Sequence, residues 1–233
     1  LNLARDVSGI ILESFQGWGA LFYPKEYVKK LNKFCKKNKI LLAFDEIQAG
    51  FARTGKKFGF QHYEIVPDMI CCGKGIGGGL PLSALIGKKK FLDIPEVGTM
   101  SSTYSANPIV CAAGLSVLDE ITQKKLISSS YKKGLLLKKE LLKIKNNYEN
   151  LIEIVTFKGL IGAIIFKQNR NNSISKLVAK VCEKCMQKGL LVVYTGRESI
   201  KIGPPLIIST SALKEGLDII NEAIGEVFLK KNH

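Results

Sequence analysis

The chain has 233 residues, 46% of them hydrophobic and 24% charged, so it can bury a sizeable core and has the composition of an ordinary globular protein. No apolar run approaches the roughly 20 residues of a membrane-spanning helix, and we expect no membrane partner. The net charge of +15 would suit a nucleic-acid binder, but only four of the 35 basic residues are arginines, so we interpret the lysines as a solvated surface and expect no nucleic-acid partner.

The first predicted elements form a strand–helix–strand unit. Residues 9–14 have the apolar pattern of a buried strand, and a loop follows at its carboxyl end. After Pro24, apolar residues recur at three- and four-residue spacing, which predicts a helix with one buried face. Residues 40–44 are a second apolar run, so the unit predicts two parallel strands joined by a right-handed crossover.

Two charged residues follow buried strands directly. Asp45 comes after residues 40–44, and Lys74 lies just beyond the apolar run 69–72. Ligands bind outside the carboxyl ends of strands in open α/β sheets, and the glycines around Lys74 let a ligand approach the backbone closely. A buried lysine beside a buried acid suits pyridoxal 5'-phosphate, which needs an amine for a Schiff base and an acid for its pyridine nitrogen.

Three segments carry a family resemblance: DEIQAGFARTGKKFG, PDMICCGKGIGGGLPLSALIG and MSSTYSANPIVCAAGLSVLDEI. In this order and spacing they resemble class III (omega-type) pyridoxal-phosphate aminotransferases, whose members act on acetylornithine, ornithine and 4-aminobutyrate. The resemblance implies an α/β fold of type I: part of a large, mostly parallel-sheet domain, then a small α+β domain. It also implies transamination of an amine or amino acid, often an omega-amino compound, with a 2-oxo acid.

The resemblance assigns the cofactor contacts residue by residue. Lys74 would form the Schiff base, and Asp45 would accept a hydrogen bond from the pyridinium nitrogen. Ile47 would pack on a face of the ring, and Gln48 would bond its phenolic oxygen. Taken without the motif, an Asp-Glu pair after a strand is usually a solvated turn or helix cap.

The loop SSTYSANP resembles the family's phosphate-binding loop. Thr103, with Ser102 beside it, matches the threonine that reaches the cofactor phosphate of the other subunit, which implies a homodimer with shared active sites. A polar turn that caps the helix after Pro108 would explain Ser105 and Asn107 equally well.

Two positions depart from the family pattern. Trp18 stands where relatives have a glutamate that pairs with an arginine to gate substrate binding, and Lys201 stands where that arginine is expected. Lysine cannot copy the bidentate fork of arginine, and an indole face can only offer a cation–π contact to the ammonium. We therefore predict a preference for apolar or extended amines over ornithine; a packing role for Trp18 and a surface role for Lys201 are the alternatives.

The pattern changes near Thr122, so we predict a large cofactor-binding domain at 1–122 and a small domain at 123–233. Ser209 or Ser211 is the expected N-cap of a last helix. The six cysteines form neither a disulfide framework nor a metal site, and we expect reduced thiols in the cytoplasm.

The chain begins with a leucine and lacks the family's amino-terminal half, so we expect a carboxyl-terminal part that is inactive by itself. An aminomutase or decarboxylase of the same fold, or a catalytically silent basic binding fragment, are the alternative functions.

Overall fold

The computed structural model describes residues 6–168 and 174–229, which form two compact units. The first unit runs through Phe15 and then over Phe22–Ile127; the second contains Gln16–Leu21 and the chain from Ser128 onward. The boundary predicted at 122/123 lies a few residues before this division and stays a prediction. That a short segment near the start belongs to the second unit was not predicted.

The first unit is built on a four-stranded sheet of order β1-β4-β5-β6. β1, β4 and β5 are parallel neighbours, whereas β6 pairs antiparallel with β5. A short pair, β2 and β3, separates β1 from α1 along the chain. Along the chain up to residue 123, the elements are β1 (Gly9–Glu13), β2 (Phe15–Gln16), β3 (Leu21–Phe22), α1 (Lys25–Lys37), β4 (Leu41–Asp45), β5 (Met69–Cys72), β6 (Ala84–Gly87), α2 (Lys89–Leu92) and α3 (Pro108–Gln123).

The sequence explains why these segments fold as they do. β4 is buried along its centre, where Leu42 and Phe44 are almost completely covered. α1 buries Val28 and Cys35 on one face, as the three- and four-residue spacing predicted, and connects the parallel strands β1 and β4. The crossover unit therefore carries the chain to the carboxyl end of β4, where Asp45 lies.

The second unit packs helices against an antiparallel sheet of order β7-β8-β10-β9. Its apolar core contains large side chains from the helices and from the sheet, among them Leu141, Phe166, Val178, Ile200 and Leu217. The elements are α4 (Leu126–Asn147), β7 (Ile152–Lys158), β8 (Ile161–Phe166), α5 (Ile174–Gln187), β9 (Val193–Tyr194), β10 (Ser199–Ile202) and α6 (Thr210–Phe228).

The predicted fold class, a mixed α/β unit followed by an α+β unit, is confirmed. Of the two candidate caps of the last helix, Ser209 is the N-cap: its Oγ accepts a hydrogen bond from the Ala212 N–H at 3.1 Å. No helix in the described ranges 6–168 and 174–229 is long and apolar enough to cross a membrane.

Candidate active site

Asp45 and Lys74 follow neighbouring parallel strands of the first unit. Asp45 is the last residue of β4 and pairs in register with Cys71 of β5. Lys74 opens a 3₁₀ turn two residues after β5 ends. Adjacent strands of a sheet are about 4.8 Å apart. The carboxylate of Asp45 and the amine of Lys74 therefore follow the carboxyl ends of two strands that lie side by side. The structure thus brings these two predicted residues to one edge of the sheet.

The backbone of Lys74 is in the left-handed region, with φ +43°. A side chain other than glycine costs about 1–2 kcal/mol there, and such strain is found preferentially at functional sites. The Ile76 N–H donates to the Gly73 carbonyl at 3.2 Å, which closes the turn around the lysine. The expectation of a buried amine is wrong for the described chain: Lys74 is exposed, because this turn projects beyond the end of β5.

Ile47 packs directly against the residue that precedes Lys74. A β-carbon added to Gly73 would lie 3.1 Å from Cγ2 of Ile47, closer than ordinary packing allows. The Ile47 N–H also donates to Oδ1 of Asp45 at 2.9 Å, so one carboxylate oxygen fixes the turn after β4. Gln48 follows in the same turn and is half-buried. Asp45, Ile47 and the Lys74 turn are therefore one packed group.

Glu46, which lies between Asp45 and Ile47, is the buried anchor of this edge. Its carboxylate accepts hydrogen bonds from the Gly59 N–H at 2.7 Å and the Phe60 N–H at 2.8 Å, and a third, short one from the Ser14 hydroxyl. Burial raises the pKa of Glu46 above its ordinary value, and these hydrogen bonds oppose the rise. Glu46 thus ties the loop after β4 to the end of β1.

The thiols next to the lysine turn are poor nucleophiles. Burial raises the pKa of Cys72 to about 11, with smaller contributions from Glu46 and Cys71. The pKa of Cys71 is raised as well, by burial and by the nearby Asp45 carboxylate. Because the thiolate is the reactive form, neither thiol is suited to act as a nucleophile near neutral pH.

Ser102 and Thr103 lie on an exposed turn before α3. The Ser102 hydroxyl is 2.7 Å from that of Ser105, and the Asn107 side chain caps α3 by accepting from the Ile109 N–H at 3.0 Å. The polar-turn role considered for Ser105 and Asn107 is therefore present. Thr103 itself is exposed, and α3 behind it packs against the glycines that follow Lys74.

Trp18 belongs to the second unit, where its segment lies on the face of the sheet opposite the helices. Ile200 of β10 points into the helix-covered core, so Ser199, its neighbour in an alternating strand, faces the other way. On that face the Ser199 hydroxyl donates to the Trp18 carbonyl at 3.2 Å, and the Thr156 hydroxyl donates to the Gly19 carbonyl at 2.7 Å. Both anchors hold the backbone and leave the indole ring half-buried.

The cation over the Trp18 indole is Arg197, not Lys201. The guanidinium carbon of Arg197 lies 5.0 Å from the ring centroid. Lys201 is half-buried further along β10, in register with Ala163 of β8. The predicted indole–ammonium contact is corrected because Ser199 fixes the Trp18 backbone at the start of β10, beside the bend that carries Arg197. The available signal was that Arg197 is one of only four arginines in the chain.

The residues at the end of β4 and β5 fit the cofactor that the resemblance implies. Among the described residues, Asp45 uses only Oδ1 in a recorded side-chain hydrogen bond, so its second oxygen suits a ring nitrogen. A β-carbon at the glycine before the lysine would lie 3.1 Å from Cγ2 of Ile47, so the backbone approaches this side chain closely. An exposed amine, a carboxylate and an apolar side chain are thus grouped as pyridoxal phosphate requires.

The comparisons with known proteins agree with this geometry. The family model described as "Aminotransferase class-III" matches residues 2–224. The acetylornithine aminotransferase of Prochlorococcus marinus is 38% identical over 224 residues, covering 94% of this chain and 52% of the relative. The leucine/methionine racemase of Thermococcus litoralis is 37% identical over 228 residues, covering 96% of this chain and 51% of the relative.

A solved structure shows the same similarity in three dimensions. The acetylornithine aminotransferase of Elizabethkingia anophelis superposes with a TM-score of 0.86 at 31% identity, covering 96% of this chain and 55% of that one. The chain therefore spans about half the length of the curated relatives it matches.

Proposed function

The chain belongs to the class III aminotransferases, and we propose that the protein transfers an amino group from an amine or amino acid to a 2-oxo acid with pyridoxal 5'-phosphate. The observation that carries the proposal is the pairing of Asp45 and Lys74 at the carboxyl ends of two parallel strands, with Ile47 packed on the lysine turn. The family motifs around these residues support it.

Each residue has a definite task in this proposal. When bound, pyridoxal phosphate supplies an aldehyde that takes the amino group and a ring that accepts electrons. The Lys74 amine attaches the cofactor and, once displaced by substrate, moves the proton from the substrate α-carbon. The Asp45 carboxylate holds the proton on the pyridine nitrogen, Ile47 packs on the ring, and Gln48 donates to the ring oxygen.

The direct test is covalent trapping of the cofactor. We expect borohydride treatment of the protein incubated with pyridoxal phosphate to add the reduced cofactor to the peptide that contains Lys74, seen by mass spectrometry. Lys74→Ala should lose both the adduct and the transamination activity, whereas Lys56→Ala, at an exposed lysine of the loop after β4, should keep both. Attachment at another lysine, or near-full turnover of Lys74→Ala, would contradict the assignment.

We include a cytoplasmic homodimer with shared active sites in the proposal. The segment around Thr103 carries large exposed apolar side chains, including Val97, Met100 and Tyr104, which are 107%, 79% and 83% exposed. Several large exposed apolar side chains within one short segment are typical of a protein interface. A second subunit that covers it would receive Thr103, and Ser102 beside it, at its own cofactor phosphate.

Subunit mixing tests this arrangement. Lys74→Ala dimers and Ser102→Ala/Thr103→Ala dimers should each be inactive, and after exchange of subunits each mixed dimer should contain one intact site. Because half of the dimers are mixed and each has one of two sites working, about a quarter of wild-type activity should return. Mixing that restores nothing would show that each site is built within one subunit.

Racemisation of an apolar amino acid is a second candidate, favoured by the similarity to the leucine/methionine racemase of Thermococcus litoralis. The same Lys74 amine could remove the α-proton, and racemisation requires that a proton then returns to the substrate α-carbon on the opposite face. Chiral chromatography of L-leucine incubated with the protein separates the two reactions. Transamination needs a 2-oxo acid and yields a new amino acid, whereas racemisation yields D-leucine without an acceptor.

A further inference from the structure

Helix α4 of the second unit has two apolar faces, and only one of them packs against its own unit. Leu137 and Ile144 are buried in the apolar core, at 0% and 3% exposure. At 3.6 residues per turn, Tyr131, Leu135 and Leu142 lie on the opposite side of the helix, where they are 58%, 53% and 39% exposed. We refer to these three side chains as the outer stripe. Single exposed apolar side chains are ordinary, but an aligned set on one helix is typical of a docking surface.

The spacing of the outer stripe is that of a seam between two helices. Its members, at positions 131, 135 and 142, are four and seven residues apart, which matches the a and d positions of a coiled coil. The stripe is about 40° wide at 3.6 residues per turn, whereas a helix face that covers a broad apolar surface is about 100° wide or more. The same line passes through Lys138, whose Nζ lies 5.5 Å from the centroid of the Phe157 ring and is thus turned towards β7. The outer stripe therefore suits a second helix better than a broad apolar surface.

Positive charge runs along one edge of the outer stripe. Lys132, Lys139 and Lys143 are exposed there, and within the described part of the chain none of them forms a salt bridge. Glu140, the only carboxylate of α4, is buried on another side of the helix. The surface beside the stripe is therefore cationic, and a partner with carboxylates at matching positions would be attracted to it.

We propose that the outer stripe binds an acidic amphipathic helix of a partner protein. Apolar side chains of that helix would pack between Tyr131, Leu135 and Leu142, and glutamates or aspartates beside them would face Lys132 and Lys139. A second copy of this chain fits less well, because its α4 would bring lysines against lysines. An anionic membrane surface also fits less well, because it requires a broad apolar face on the helix. The inference concerns the second unit alone and does not depend on the transamination proposal.

The direct test measures the fluorescence anisotropy of a fluorescein-labelled peptide as the protein is added. The peptide is three heptads long, with leucine at the a and d positions and glutamate at the e and g positions. A second peptide keeps the glutamates but has alanine at a and d, and a third keeps the leucines but has lysine at e and g. We expect saturable binding of the leucine–glutamate peptide, and binding of the other two that is weaker by roughly 10-fold or more.

Truncation of the outer stripe separates helix docking from simple charge attraction. Leu135→Ala/Leu142→Ala removes apolar contacts without changing the charge, and should weaken binding of the leucine–glutamate peptide by roughly 10-fold or more. Alanine is the best helix former, so α4 itself should be retained. The matched control is Met186→Ala/Ile207→Ala, which removes two side chains of the same unit that are 57% and 71% exposed, and it should bind the peptide as wild type does.

Charge reversal gives a gain of binding that an unfolded variant could not show. Lys132→Glu/Lys139→Glu should lose the leucine–glutamate peptide and acquire saturable binding of the leucine–lysine peptide. Lys176→Glu/Lys180→Glu reverses the same number of exposed charges on α5 and should keep the preference of wild type.

The inference is overturned if no peptide binds saturably, or if the alanine–glutamate peptide binds as tightly as the leucine–glutamate peptide, since charge alone would then explain the attraction. Unchanged binding by Leu135→Ala/Leu142→Ala would place the peptide site elsewhere on the protein. Flotation of wild type, but not of that variant, with vesicles of equal parts phosphatidylserine and phosphatidylcholine, without peptide binding, would assign the stripe to a membrane surface instead.

Discussion

Lys74 should destabilise the folded protein, because its backbone conformation is strained. Its φ of +43° costs a non-glycine residue about 1–2 kcal/mol, while glycine loses about 0.5–1 kcal/mol more backbone entropy on folding than alanine. The difference predicts that Lys74→Gly raises the free energy of unfolding by about 0.5–1 kcal/mol relative to Lys74→Ala. For a chain of this size, that corresponds to about 1–4 °C in Tm.

The assay is thermal unfolding of the cofactor-free proteins, since a bound cofactor would stabilise only the variants that retain it. Lys39 provides the control within the chain: it has φ +58°, is exposed, and follows the C-cap of α1, where glycine is the usual residue. Lys39→Gly should gain a similar amount of stability relative to wild type, and borohydride should still trap the cofactor on it. If Lys39→Gly gains stability and Lys74→Gly does not exceed Lys74→Ala, the strain assigned to Lys74 is refuted.

Three further predictions concern the residues around this lysine. Asp45→Asn should lower kcat/KM for transamination by at least roughly 100-fold, because the negative charge that keeps the ring nitrogen protonated is lost. A change of only a few-fold would mean that Asp45 has no role beyond the turn after β4. The pKa of Glu46 is higher in the folded protein than its ordinary value of 4.5, so as pH rises the unfolded chain loses this proton before the folded protein does. The free energy of unfolding of wild type should therefore fall relative to that of Glu46→Gln towards neutral pH. Denaturant titrations at several pH values check this, and a constant difference would refute it. Gly73→Ala places a β-carbon 3.1 Å from Ile47 and should cost about 1–3 kcal/mol more in urea unfolding than Gly75→Ala, whose added carbon makes an ordinary 3.5 Å contact.

The sequence allowed prediction of the elements whose signals are local. The apolar runs before Asp45 and Lys74 are strands because short buried segments must satisfy their backbone in a sheet. The parallel order of β1 and β4 follows from the crossover helix α1 that connects them. The N-cap of the last helix could be predicted as one of two serines, because an N-cap side chain bonds to a backbone N–H only three residues further along the chain.

Contacts between distant residues could not be predicted in this way. The partner of Trp18 depends on which residue of the bend before β10 meets a segment 181 positions earlier, and no short window contains both. The role of Glu46 likewise depends on backbone N–H groups 13 and 14 residues away, whose direction is set by the loop. The exposure of Lys74 depends on how far its turn projects from the sheet, which the apolar pattern of β5 does not specify.

The Gln16–Leu21 segment has a consequence for how the chain folds during synthesis. Its hydrogen-bond partners Thr156 and Ser199 are 137 and 181 residues further along the chain. At 5–20 residues per second, the ribosome delivers those partners about 7 to 40 s after the segment itself. The first unit can fold around β1 and α1 during this interval, while the segment between them still lacks its hydrogen-bond partners. Completion of the second unit is therefore coupled to a segment that is synthesised well before it and that must stay accessible until β10 is made.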